Sequence, residues 1–188
     1  MLYSIILACN LNGGGIGYNN YIPWSIKSEL NLFRSITTGY SPFKKNAIIM
    51  GKKTWDSLPI KPLKNRLNIV ITTDKKFINY DNVISFNNLD DAFNYCECNT
   101  DINDVFVIGG KSLYDLCLNN EKYSKNIKYI YLSIIYKYYF TNISIDLKHI
   151  LTNYKCLFSN ISFYKDYLHL KMEKNNNLSN LLCYRNCN

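Results

Sequence analysis

The feature that most restricts what this chain can fold into is an alternation. Apolar runs of strand length recur along it, with helix-length amphipathic segments between them. Residues 3–9, 47–50, 67–72, 83–86, 105–108 and 127–135 form such runs, bounded by polar or glycine-containing stretches. Over 25–36, Ile26, Leu30, Phe33 and Ile36 fall at helical spacing, with Ser25 as the expected cap. Further helices are expected over 88–96, behind Asn88 or Asp90, and over 110–117. Strands that are apolar on both faces need cover on both sides, and helices between successive strands supply it. The pattern predicts an α/β layer with a mostly parallel sheet. Two last runs, near 154–164 and 167–173, flank Lys165-Asp166 too closely for a crossover, so they predict an antiparallel hairpin at an edge.

The 188 residues fit one domain, and 47% hydrophobic with 15% aromatic content is ample for a packed core. That domain is expected over 1–174, with 175–188, opening on Asn175-Asn176-Asn177, as an Asn-rich tail or linker. No apolar run approaches the ~20 residues of a membrane helix, so no membrane partner is expected. The start lacks a basic leader and reads as a buried strand. Seven cysteines without a Cys-x-x-Cys pair, beside only His149 and His169, predict free thiols in a reducing cytoplasm and no metal centre. A net charge of +8 attracts anions in general. The lysines are scattered rather than clustered, so no obligate nucleic-acid partner is expected.

Three glycine-containing turns follow strands. After Gly13-Gly14-Gly15-Ile16-Gly17, Asn20 stands where a dinucleotide fingerprint needs glycine, and Pro23-Trp24 intervenes before a helix can start. That segment predicts a mobile glycine loop, placed where a lid would be useful. In Ile48-Ile49-Met50-Gly51-Lys52-Lys53-Thr54-Trp55 the strand ends at Gly51. Free backbone N–H groups, the Thr54 hydroxyl and two lysines follow at once and make an anion site. In Val107-Ile108-Gly109-Gly110-Lys111-Ser112-Leu113-Tyr114 the paired glycines let backbone approach a ligand without Cβ interference. Two such turns on one sheet point to a ligand with more than one phosphate.

Glu29 lies one helical turn from both Ile26 and Phe33, which puts its carboxylate at the margin of an apolar stripe. Desolvation there would favour a proton held near neutral pH. The alternative is a Glu reaching water or pairing with Lys52 or Lys53.

Taken in order, Ile22-Pro23-Trp24, Glu29, Met50-Gly51-Lys52-Lys53-Thr54-Trp55, Arg66 and Ile108-Gly109-Gly110 with Tyr114 closely resemble the dihydrofolate reductase family across residues 1 to about 135. The resemblance implies a mixed, mainly parallel eight-stranded sheet flanked by helices. It implies reduction of 7,8-dihydrofolate to 5,6,7,8-tetrahydrofolate, with hydride from NADPH, supplying one-carbon carriers for thymidylate and purine synthesis. Glu29 would be the acid that binds the pterin and supports protonation of its imine nitrogen through an ordered water, Trp24 would help hold that water, and Ser133 stands where Thr is usual beside the acid. Ile6, Leu7 and Ala8 would line the pterin pocket, and Ile22, Leu30, Phe33 and Leu58 would surround the folate. Arg66 would clamp the glutamate tail's α-carboxylate. Gly51, Lys52, Lys53 and Thr54 would meet cofactor phosphates, joined by Gly109, Gly110, Lys111, Ser112 and Leu113. Thr72 and Thr73 fall where the family binds the adenosine phosphate. Ile108 and Tyr114 match positions beside the nicotinamide and would also contact the substrate, and Ala8, Ile16 and Gly17 would contact the cofactor.

Two positions depart from the family pattern. Thr73 stands where Arg is frequent, so preference for NADPH over NADH rests mainly on Lys52 and Lys53. Lys137 stands where an Asp is usual that can bind the glycine loop on closure, which bears on loop closure and turnover. The nearest alternative is the related reductase of riboflavin synthesis, against which Pro23, Trp24 and Glu29 count. A non-catalytic RNA- or partner-binding protein would use the basic charge and tolerate Lys137, but would not need Glu29, Arg66 and the paired glycines together. The resemblance further implies a monomer with dihydrofolate as its small-molecule substrate. Some members are fused to thymidylate synthase, so association with that enzyme is a further expectation.

Overall fold

The computed structural model describes residues 1–39, 41 and 43–175. Its elements run β1 (Tyr3–Asn10), β2 (Gly15–Gly17), α1 (Lys27–Thr38), β3 (Lys45–Gly51), α2 (Lys52–Ser57), β4 (Arg66–Ile71), β5 (Val83–Phe86), α3 (Leu89–Cys98), β6 (Ile102–Val107), α4 (Lys111–Asn119), α5 (Glu121–Ser124), β7 (Ile127–Ile135), β8 (Ile143–Ser144), α6 (Leu147–Asn153), β9 (Tyr154–Phe163) and β10 (Tyr167–Lys174). Eight strands form one sheet in the order β5-β4-β3-β6-β1-β7-β10-β9. Contacts from β5 across to β7 are all parallel, while β10 runs antiparallel to both β7 and β9. The predicted parallel layer and its C-terminal hairpin are both present. Most of the Asn-rich tail, with Cys183 and Cys187, lies outside the described residues.

Strand alternation divides the core. From β1, Tyr3, Ile5, Leu7 and Cys9 join the larger apolar cluster, with Leu89 and Ala92 of α3, Leu113 and Cys117 of α4 and Ile150 of α6. Ile6 points to the opposite face, into a cluster with Ile48, Met50, Trp55 and Ile108, against which Phe33 and Leu58 pack. Helices α1 and α2 therefore cover one face near the carboxyl ends of the parallel strands, where α/β sheets place their ligand clefts.

Two local expectations differ from what forms. Ser25 does not cap α1; Ile26 occupies the N-cap position with extended backbone and no side-chain cap bond. Trp24 explains the delay, because its burial with Ile135 and Tyr167 keeps the entering chain extended before a helical turn can close. Asn88 does cap α3, its side chain accepting from the Asp91 N–H at 2.9 Å, a contribution of about 1 kcal/mol.

The glycine loop is tied down rather than free. Asn10, buried at the end of β1, accepts from the Gly15 N–H at 3.0 Å and donates to the Tyr139 carbonyl at 2.9 Å. Gly15 and Gly17 pair with β8, the Asn142 N–H donates to the Gly17 carbonyl, and Asn19 and Asn142 bond each other's side chains and backbone. A Cβ on Gly15 would collide with the Thr141 side chain, so only glycine allows this approach. The departure at Lys137 thus leaves the loop bridged: the contact comes from Asn142, a few residues farther on.

Candidate active site

Glu29 sits nearer the centre of its helix's buried face than its spacing from Ile26 and Phe33 suggested. It and Thr37 are the buried residues of α1, Glu29 at 9% exposure, whereas Leu30 is 50% exposed toward solvent. The expected alternative of an ion pair with Lys52 does not form, because Lys52 Nζ binds Asp56 at 2.7 Å. Burial pushes the Glu29 carboxyl up to about 7, and a hydrogen bond from the Ser133 hydroxyl draws it the other way. An acid so poised exchanges its proton near neutral pH.

The predicted neighbours converge on it unevenly. Ser133 is buried on β7, directly across from Ala8 of β1. Trp24 is buried, its ring tilted at 56° against that of Tyr139 with 5.7 Å between centres. Tyr114 is buried, and its hydroxyl donates to the Ile6 carbonyl at 3.0 Å, fixing α4 to the middle of β1. Leu7 departs from expectation. Its side chain belongs to the core on the other face, so it offers the cleft backbone at most, while Ile6 and Ala8 point the right way. Ile22 and Leu30 remain largely exposed, and Phe33 and Leu58 are half-buried. Large apolar side chains left in water around one acid are what a bound aromatic ligand would cover.

Arg66, at the start of β4, is 4% exposed. Its Nε donates to the Lys64 carbonyl at 3.1 Å, one terminal nitrogen donates to Thr37 Oγ1 at 2.7 Å, and the guanidinium lies 5.8 Å from the Phe33 ring centre. Among the described residues no carboxylate lies within ion-pair distance. Burial, then the nearby Arg34 charge, lowers its pKa to about 10, which still leaves it charged at neutral pH. A desolvated cation without an anion is costly unless a ligand supplies one.

The two strand-end turns adjoin because β3 and β6 are neighbours. The Gly51 N–H donates to the Gly109 carbonyl at 2.8 Å, and a Cβ on Gly110 would lie 3.0 Å from Thr54 Oγ1. Space above Gly51 is open, its nearest neighbour being the Gly110 nitrogen at 4.0 Å from a built Cβ. Lys53, Thr73, Lys111 and Ser112 are exposed around this edge and Thr72 is half-buried, while Ile16 and Gly17 lie in the tied loop. Lys111 Nζ pairs with Asp115 at 2.8 Å, an exposed pair like that of Lys52 with Asp56, and the Leu113 side chain is in the core, so Leu113 can offer a ligand only its backbone. Gly109 has φ +112°, and a Cβ there would stand 3.0 Å from the Tyr114 hydroxyl. Gly109→Ala is expected to lower stability by about 1–3 kcal/mol in urea denaturation. Gly110→Ala, with an ordinary φ and a yielding Thr54 opposite, should lose less; equal losses would mean that the Gly109 backbone is not what requires glycine.

Sequence reasoning missed Thr37, Asn10, Asn142 and His169. Each is a polar residue whose partner lies far away in the chain, so no local pattern announces it.

An eight-stranded α/β sheet with a buried acid and two adjoining glycine turns defines an α/β protein that takes its ligands at the carboxyl ends of the strands. The family model for dihydrofolate reductase matches residues 2–144. A dihydrofolate reductase from Heliothis virescens is 38% identical over 138 residues, covering 70% of this chain and 72% of the relative. One from Candida albicans is 38% identical over 122 residues, 62% of each chain. A bifunctional dihydrofolate reductase-thymidylate synthase from Paramecium tetraurelia is 40% identical over 122 residues, 65% of this chain but 24% of that longer protein. The chain belongs to the dihydrofolate reductase family.

Proposed function

We propose that this protein reduces 7,8-dihydrofolate to 5,6,7,8-tetrahydrofolate with NADPH as reductant, feeding one-carbon transfer to thymidylate and purines. The observation that carries the reading is Glu29: a carboxyl buried on α1, raised to about 7 by that burial and without a cation partner among the described residues. Ionised, it can accept from the pteridine's amino group and ring N–H; protonated, it can relay a proton through water to the imine nitrogen. Trp24 walls the cleft behind that water, and Ser133 holds the carboxyl's orientation. Arg66 meets the glutamate tail's carboxylate in a two-pronged bond, with Leu30, Phe33 and Leu58 against the aromatic linker.

For the cofactor, the fit rests on the glycine cradle. Gly51, Gly109 and Gly110 leave backbone open beside Thr54, and Lys52, Lys53, Thr72 and Thr73 stand at the same edge for phosphate. When bound there, NADPH would supply the hydride that the pterin carbon accepts. The basic charge of the chain would speed capture of both anionic ligands. Because bifunctional relatives exist, association with thymidylate synthase is part of the proposal.

The test is loss of NADPH absorbance on adding dihydrofolate, run beside NADH and beside the pyrimidine substrate of riboflavin synthesis. Consumption with dihydrofolate, slower with NADH, is expected. Binding of NADPH with no consumption would overturn the reading and leave a binding role on the same fold.

A further inference from the structure

Ser133 faces Glu29, but it also faces a second group that the chemistry above does not use. In the register of β7 with β10, Ser133 stands directly opposite His169. Ser133 Oγ and His169 Nδ1 are 3.2 Å apart, and both residues are buried, at 3% and 7% exposure. The imidazole is held by stacking on Tyr131, 6.2 Å between centres at 20°. We propose that His169 is a positioning residue for the acid: it fixes which way the Ser133 hydroxyl points and thereby sets the proton affinity of Glu29. This rests on the reading of Glu29 as the acid of dihydrofolate reduction.

A serine hydroxyl has one proton to donate and can accept at its lone pairs. When Glu29 is ionised, Ser133 donates to the carboxylate and can accept from an Nδ1–H of His169. When Glu29 is protonated, Ser133 is released to donate to Nδ1, and the imidazole carries its proton on Nε2. A neutral imidazole serves both arrangements by changing tautomer, and burial lowers the His169 pKa to about 4, which keeps the ring neutral. A chain of bonds that ends on a charge is stronger than the same chain ending on a neutral acid. His169 therefore favours the ionised acid and holds the Glu29 pKa below the value that burial alone would give.

The other titratable groups around this chain are few. Tyr114 of α4 and Tyr167 of β10 face the Glu29 charge; burial raises both, Tyr167 to about 12, so neither ionises in the working range. On the imidazole's side, the Lys171 ammonium lies 5.8 Å from the Tyr131 ring centre and 4.0 Å from that of Tyr129, and the Asp104 charge acts on Tyr131.

The experiment is the pH profile of dihydrofolate turnover in wild type, His169→Phe and His169→Asn, each also made with Ser133→Ala. His169→Phe keeps shape and burial but removes the nitrogen. The limb on which activity falls with rising pH should move up by about half a pH unit. His169→Asn, whose amide can meet Ser133, should restore it. In the Ser133→Ala background neither substitution should move the limb. An unmoved limb in His169→Phe overturns the proposal, as does an equal shift with and without Ser133. In wild-type protein the 15N resonances of the ring should change over the same pH interval as activity while the ring stays neutral. Constant resonances there overturn the proposal even if a variant fails to fold. Absence of any wild-type turnover would instead strike the dihydrofolate reading itself.

Discussion

Glu29→Gln is expected to lower dihydrofolate turnover near neutral pH by about 10²- to 10⁴-fold, with NADPH affinity almost unchanged. The amide can imitate the carboxyl's shape and some of its bonds, but it cannot deliver a proton. Gly51, Gly109 and Gly110 offer the cofactor their backbone, which the exchange leaves unchanged, so cofactor binding should alter little. Stopped-flow turnover and fluorescence titration with NADPH check the two halves separately. Wild-type turnover in the variant would remove Glu29 from the mechanism.

The same substitution should also reveal what the site costs the fold. The folded-state pKa, about 7, lies above the 4.5 of the free side chain. Between those values the folded chain binds more protons than the unfolded one, so stability falls as pH rises through that interval. The difference corresponds to about 3–4 kcal/mol, fully expressed above about pH 7. Glu29→Gln should therefore be more stable than wild type near pH 8 and close to it near pH 4.5 in urea denaturation. Equal stability at both would mean that the ionised carboxylate is well solvated in the cleft.

Arg66→Leu is expected to weaken dihydrofolate binding by about 2–5 kcal/mol while changing NADPH binding little. The guanidinium is already desolvated and already oriented by the Lys64 carbonyl and Thr37 Oγ1. A carboxylate arriving there finds a fixed fork and little ordering left to do. The apoprotein should be no less stable for the loss, because a buried cation without an anion gives way to an apolar side chain. Calorimetric titration with each ligand and a thermal scan decide it. Equal loss for both ligands would make Arg66 a structural residue.

The limits of the sequence are visible residue by residue. The parallel layer was legible because runs such as 47–50 and 127–135 are apolar on both faces, and a run of that kind has few places to go other than a sheet covered twice. The hairpin at the end was legible from the shortness of the link at Lys165-Asp166. Gly51, Gly109 and Gly110 were legible as turns because only glycine suits a backbone that must approach something closely. Glu29 was legible as a perturbed acid, though its depth was underestimated: spacing gives the face of a helix but not the rotation at which that face docks. Ser25 misled because capping is a local preference, and the burial of Trp24 outweighed it. Leu7 and Leu113 were assigned to ligands by position, whereas strand and helix alternation turns their side chains into the core.

The sequence by itself determined the main strands of the sheet with the helices between them, the glycine turns and the acid, since each follows from local periodicity or from what one residue type can do; the short β2, α5, β8 and α6 have no such signal. Only the tertiary structure decided which distant groups meet. Asn10 and Asn142 reach the glycine loop, Thr37 braces Arg66, and His169 stands opposite Ser133 because two strands pair in one register and not the next. Such contacts form between residues separated by tens of positions, and their energy exists only once the chain has closed around them, so no stretch of sequence carries their signature.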